Sequence, residues 1–98
     1  MKMFALCDTK AKIFHRPFCD ESVAAALRGF EILVNDPKSQ MINRFPDDFS
    51  LFTIGEFDPQ TGTLTPTLDN LGSARTVLRS DGGSSAMPAQ PPARLADV

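Results

Sequence analysis

Ser50–Pro66 reads SLFTIGEFDPQTGTLTP, and this stretch decides the fold. Leu51-Phe52-Thr53-Ile54 is apolar on both sides of an extended chain, so one packed helix covers only half of it. Phe49–Phe57 is therefore predicted as an inner strand. Phe49, Leu51, Thr53, Gly55 and Phe57 alternate along it with Ser50, Phe52, Ile54 and Glu56. Asp58-Pro59-Gln60-Thr61-Gly62 turns the chain, with Pro59 fixing φ at the start and Gly62 free to take φ > 0 at the end. Thr63–Thr67 returns as a further strand, and Pro66 marks an edge or an end.

Toward the N-terminus, Met1–Cys7 alternates Met3, Ala5 and Cys7 against Phe4 and Leu6, a second inner strand. Asp8-Thr9-Lys10-Ala11 is a polar hairpin turn. Lys12–Phe18 follows as an edge strand with Lys12, Phe14, Arg16 and Phe18 on one side. Asp20–Asn35 is the one long helix. Asp20 or Ser22 caps it, and Val23, Leu27, Phe30 and Val34 form one apolar stripe widened by Ala26 and Leu33. Arg28 and Glu31 are spaced to pair, and Gly29 reads as a close approach to the sheet. Asn35-Asp36-Pro37 stops the helix. Lys38–Asp48 is expected to be a loop with Met41, Ile42 and Phe45 tucked inward. Leu71, Ala74, Val77 and Leu78 place a short helix in 69–79.

Residues 80–98 are rich in Gly, Ser, Ala and Pro and read as a disordered tail. The expected architecture is one α+β domain over 1–79: a four-stranded, mainly antiparallel sheet in the order β-β-α-β-β, with one main helix on one face. Its second face is also apolar, with Phe4, Leu6, Phe52 and Ile54 as expected interface residues. The 69–79 helix, a second copy of the chain, or another partner must cover it, and the reading leans to a homo-oligomer.

The 98 residues carry a formal net charge of −2, which argues against a protein that coats nucleic acid by charge alone. The distribution is uneven. Residues 1–45 hold seven Lys/Arg and five Asp/Glu; residues 46–66 hold four acids and no base. No stretch is long and apolar enough to span a membrane. Cys7 and Cys19 lack metal-type spacing and are read as reduced thiols.

His15, the only histidine, sits beside Arg16 with no nucleophile partner in the pattern. Asp47, Asp48, Glu56 and Asp58 match no calcium loop and read as solvated turn residues; a metal-dependent nuclease would rest on them alone. No phosphate-binding glycine loop, nucleophile elbow or zinc motif occurs, so neither enzyme activity nor a cofactor or metal is expected. Eight Phe residues serve mainly as core, yet Phe14 between Lys12 and Arg16 has the makeup of a site that stacks single-stranded bases.

Several motifs occur in a recognisable order. Met1, Lys2, Phe4, Asp8 and Lys10 open the chain, and Pro17-Phe18 follows. Ala26, Arg28 and Phe30 lie in the helix, before Asn35-Asp36-Pro37. Pro46-Asp47-Asp48 precedes Leu51, Phe52, Gly55, Phe57, Asp58, Thr61 and Gly62. Over residues 1–78 the chain resembles the small nonstructural protein of gokushovirus-type microviruses, which are small single-stranded DNA phages. The resemblance implies a nonstructural protein of the host bacterial cytoplasm, absent from the mature virion. It implies DNA binding, or a part in the switch from genome replication to packaging, by analogy with protein C of the φX-type microviruses. The implied partners are viral single-stranded DNA and the replication protein or procapsid. For DNA contact the expected residues are Lys2, Lys10, Lys12, Phe14, Arg16 and Arg28. A homo-oligomeric adaptor that never meets DNA is the competing reading, motivated by the acidic balance and the apolar second face.

Overall fold

The computed structural model describes residues 1–79, and the tail expected over 80–98 lies outside them. The fold is α+β. Five strands form one antiparallel sheet: β1 (Lys2–Asp8), β2 (Ile13–Phe14), β3 (Phe18–Asp20), β4 (Phe49–Asp58) and β5 (Thr63–Ser73). β1 is central. It pairs with β4 on one side, and with β2 and β3 at its two ends on the other; β5 flanks β4. The helix α1 (Val23–Val34) covers one face, and a short helix α2 (Gln40–Arg44) leads into a 3-10 turn over Pro46–Asp48.

Sequence explains α1 directly. The Ser22 hydroxyl accepts the Ala25 N–H at 3.1 Å, an N-cap worth about 1 kcal/mol. Ala26, Phe30 and Val34 are buried against Phe4, Phe49, Leu51 and Ala74, with Val23 and Leu27 packed at the margin. Three expectations about α1 fail. Leu33 is exposed, because it lies past the edge of the stripe. Gly29 approaches nothing among the described residues: a Cβ there would meet none of their atoms within 4 Å. Glu31 pairs not with Arg28 but with Arg79, at 2.9 Å, because residues 77–79 fold back over the helix end. Asn35 fastens that return, its amide donating to the Val77 carbonyl while its oxygen accepts the Arg79 N–H.

The sheet also departs from expectation. The 12–18 strand is split. Phe14 is opposite Cys7, but Phe18 is opposite Phe4, so His15–Pro17 holds one residue more than a regular ladder admits. The extra residue reverses the alternation, and Phe14 and Phe18 fall on opposite faces. Pro17, which has no N–H to pair, lies in that break. β5 runs on to Ser73, so Pro66 does not end it, and the short helix expected in 69–79 is confined to a 3-10 turn after the strand. Leu71, Val77 and Leu78 do pack on the core around buried Ala74, but from a strand end and a 3-10 turn over Ala74–Thr76. The 38–48 segment carries α2 and the 3-10 turn; Ile42 packs inward, while Met41 and Phe45 are exposed.

Candidate functional site: an uncharged sheet face beside a basic turn

Register assigns each strand residue to a face, since directly opposite residues in an antiparallel ladder point the same way. Phe4, Leu6, Leu51 and Thr53 share the helix face, together with Lys2, Asp8, Asp20, Glu56 and Asp69. Phe4 is 0% exposed and Leu6 packs on the core. Both were expected at the second face and are corrected to the first, because the long helix stripe closes directly over them.

The other face carries Met3, Ala5 and Cys7 of β1, Phe14 of β2 and Cys19 of β3. β4 adds Ser50, Phe52, Gly55 and Phe57; β5 adds Leu64, Pro66, Asn70 and Ser73. Phe57 was expected beside Leu51. A bulge at Ile54 shifts the register and moves it to this face. Among the described residues, no position that the register assigns to this face is charged.

Phe14 and Phe52 stand on strands two apart, and their rings meet edge-on at 5.2 Å across β1. Ala5 and Cys7 lie between them and are small enough to pass beneath. This accounts for their burial on a face where, among the described residues, no helix packs. Burial pushes the Cys7 thiol up, with the Asp8 charge adding to the effect. Phe14 remains 45% exposed and Leu64 61% exposed, with Phe52 and Ile54 half-buried.

At one end of this face lies the turn from β1 to β2. Its geometry is that of the β4–β5 turn. The Lys12 N–H donates to the Asp8 carbonyl at 2.7 Å, as the Gly62 N–H does to Asp58. The Asp8 carboxylate accepts the Lys10 N–H at 3.1 Å, as Asp58 accepts that of Gln60 at 2.9 Å. The fifth residue is left-handed in both: Gly62 at φ 77° and Lys12 at φ 62°. Lys12 is the only non-glycine with positive φ among the described residues, so the turn places a cation where a glycine fits with less strain.

Lys10, Lys12 and Arg16 are all exposed, and none forms an ion pair among the described residues. Lys2 lies at the far end of β1, about 20 Å away by strand rise. It pairs with Glu56 at 3.8 Å. Arg28 is on α1, across the sheet. The structure thus keeps Lys10, Lys12 and Phe14 at the β1–β2 turn, with Arg16 in the break two residues past Phe14, and separates Lys2 and Arg28 from them. The acids are dispersed. Asp47 accepts two hydrogen bonds from Arg75 at 3.0 Å, while Asp58 caps the distant hairpin. Among the described residues no group of three His, Cys, Asp or Glu is placed to hold a metal ion. The residues that sequence reasoning missed are Phe57 and Leu64; only the bulge assigns them to the face, and it leaves no mark in the alternation.

The described residues thus form an antiparallel sheet with one helical layer, a face with no charged register position and a basic turn at its end. Comparison with protein families gives it a place: the chain belongs to the Phage ORF5 protein family, which matches residues 1–77. No curated protein and no solved structure matches it.

Proposed function

We propose that this phage protein is nonstructural, acts in the host bacterial cytoplasm, and assists replication of viral single-stranded DNA or its switch to genome packaging. It does so as a binding protein, without catalysis, cofactor or membrane contact. It touches single strands weakly through Lys10, Lys12 and Arg16, with the exposed rim of Phe14 beside them. The observation that carries this reading is Lys12: a cation held left-handed and, among the described residues, without an ion-pair partner, where the twin turn uses glycine. Sparsely populated backbone conformations cluster at binding and active sites. Fluorescence anisotropy with a labelled single-stranded oligonucleotide at low salt tests it. The wild type should bind weakly, and the K10E/K12E double variant should not bind. Absence of wild-type binding removes direct DNA contact.

A second reading is favoured by the uncharged face. It lacks the cations that phosphates require, and its exposed apolar residues fit protein better than DNA. There the chain is a homo-oligomeric adaptor for the replication protein or procapsid. A pull-down from infected cells separates the two: viral proteins retained after nuclease treatment support the adaptor, and DNA alone argues against it.

A further inference from the structure

We infer that the uncharged sheet face is the contact between two copies of this chain, packed sheet on sheet about a two-fold axis. The inference rests on the adaptor reading and names its surface.

Charge selects the occupant. The described face positions hold Met, Ala, Cys, Phe, Ser, Gly, Leu, Pro and Asn, while the charged residues of the same strands point to the helix face. A polyanion finds counter-charge only at the rim, at Lys10, Lys12 and Arg16, and a charged protein surface would lose its hydration across the rest without compensation. A second copy brings an equally uncharged surface, and a two-fold contact needs a self-complementary patch.

Area agrees. β1, β4 and β5 supply 7, 10 and 11 residues, and the split edge of β2 and β3 adds 2 and 3; at strand rise and spacing that is roughly 500 Å² in plan. Two such faces bury roughly 1,000 Å², the lower bound of specific interfaces, and stack about 10 Å apart.

The sheet edges are poorer docking sites. β5 carries Pro66 and two register shifts, and the opposite edge is broken at His15–Pro17. These are devices that blunt edge pairing. The basic turn lies at the end of the face, so dimerisation leaves Lys10 and Lys12 at the rim.

Sedimentation equilibrium from about 1 µM to about 1 mM, the range of weak dimers, tests the proposal. The variants are Leu64→Glu on the face and Leu33→Glu on exposed α1. The wild type is expected to dimerise with rising concentration. L64E should weaken the dimer by at least about tenfold, since it introduces a charge into an apolar contact, and L33E should leave it intact. A wild type that stays monomeric, or a dimer weakened by L33E and not by L64E, overturns the inference. A monomer that still retains replication or capsid protein overturns it and leaves of the adaptor reading only the contact with those proteins. A monomer whose oligonucleotide binding is lost with Phe52→Ser overturns it and assigns the face to DNA.

Discussion

At the scale of a single residue, Lys12 combines an exposed charge with a left-handed backbone. A left-handed L-residue costs about 1–2 kcal/mol, and glycine returns part of that as lost backbone entropy. Lys12→Gly should therefore stabilise the fold by about 0.5–1 kcal/mol in urea unfolding while weakening oligonucleotide binding. Stability and function moving in opposite directions is an outcome that a merely structural lysine does not produce. Gly29 gives a simpler case. Nothing lies near it on exposed α1, so Gly29→Ala should raise stability by up to about 1 kcal/mol, read by thermal melting. The β4–β5 turn was legible because Asp-Pro and Gly announce it. Asp8–Lys12 was legible as a turn from its polarity, but its left-handed end was not, since no Gly or Asn stands there. The two thiols should separate on labelling: exposed Cys19 reacts in the native state, and buried Cys7 only when the chain opens.

At the scale of elements, α1 and the inner strands followed from periodicity and capping. The miss over 69–79 has a physical cause. Leu71, Ala74, Val77 and Leu78 do meet the core, as a helical stripe would, but β4 offers ten residues of paired backbone. Extending β5 along that template satisfies more hydrogen bonds than an isolated short helix could. Likewise the split of the 12–18 strand depends on one surplus residue that alternation alone cannot locate. The 3-10 turns at 46–48 and 74–76 are clipped together by Arg75 and Asp47. The hydrogen bonds from Arg75 hold the Asp47 carboxyl below its ordinary value of 3.8. A depressed folded-state pKa contributes stability above the unfolded value and loses it as pH falls through the folded one. Stability should therefore decline on acidification below pH 3.8, and Asp47→Asn should remove that part of the decline. Chemical denaturation at stepped pH checks it.

Across the whole molecule, charge and apolar surface occupy different places. One helix closes the face that carries Phe4 and Leu51. On the other, two aromatic rings roof the small residues of β1 and leave an uncharged surface open. The presence of two apolar faces was legible in Leu51–Ile54. The membership of the second face was not, because bulges at Ile54 and at His15–Pro17 reassign Phe57, Leu64 and Phe18. Leu51→Ala should cost about 2–5 kcal/mol, as expected for a fully buried Leu beneath the helix. The chain is a member of the Phage ORF5 protein family, and the separated surfaces are the basis of the proposal that copies of the chain join through the face while the turn reaches toward DNA.

The most direct measurement of that claim is the salt dependence of oligonucleotide affinity. With Lys10, Lys12 and Arg16 each meeting a phosphate, log K should fall against log salt with a slope of about −2 for single strands, and Lys12→Gly should reduce it by about 0.7. A slope that Lys12→Gly leaves unchanged, or no binding at low salt, contradicts it.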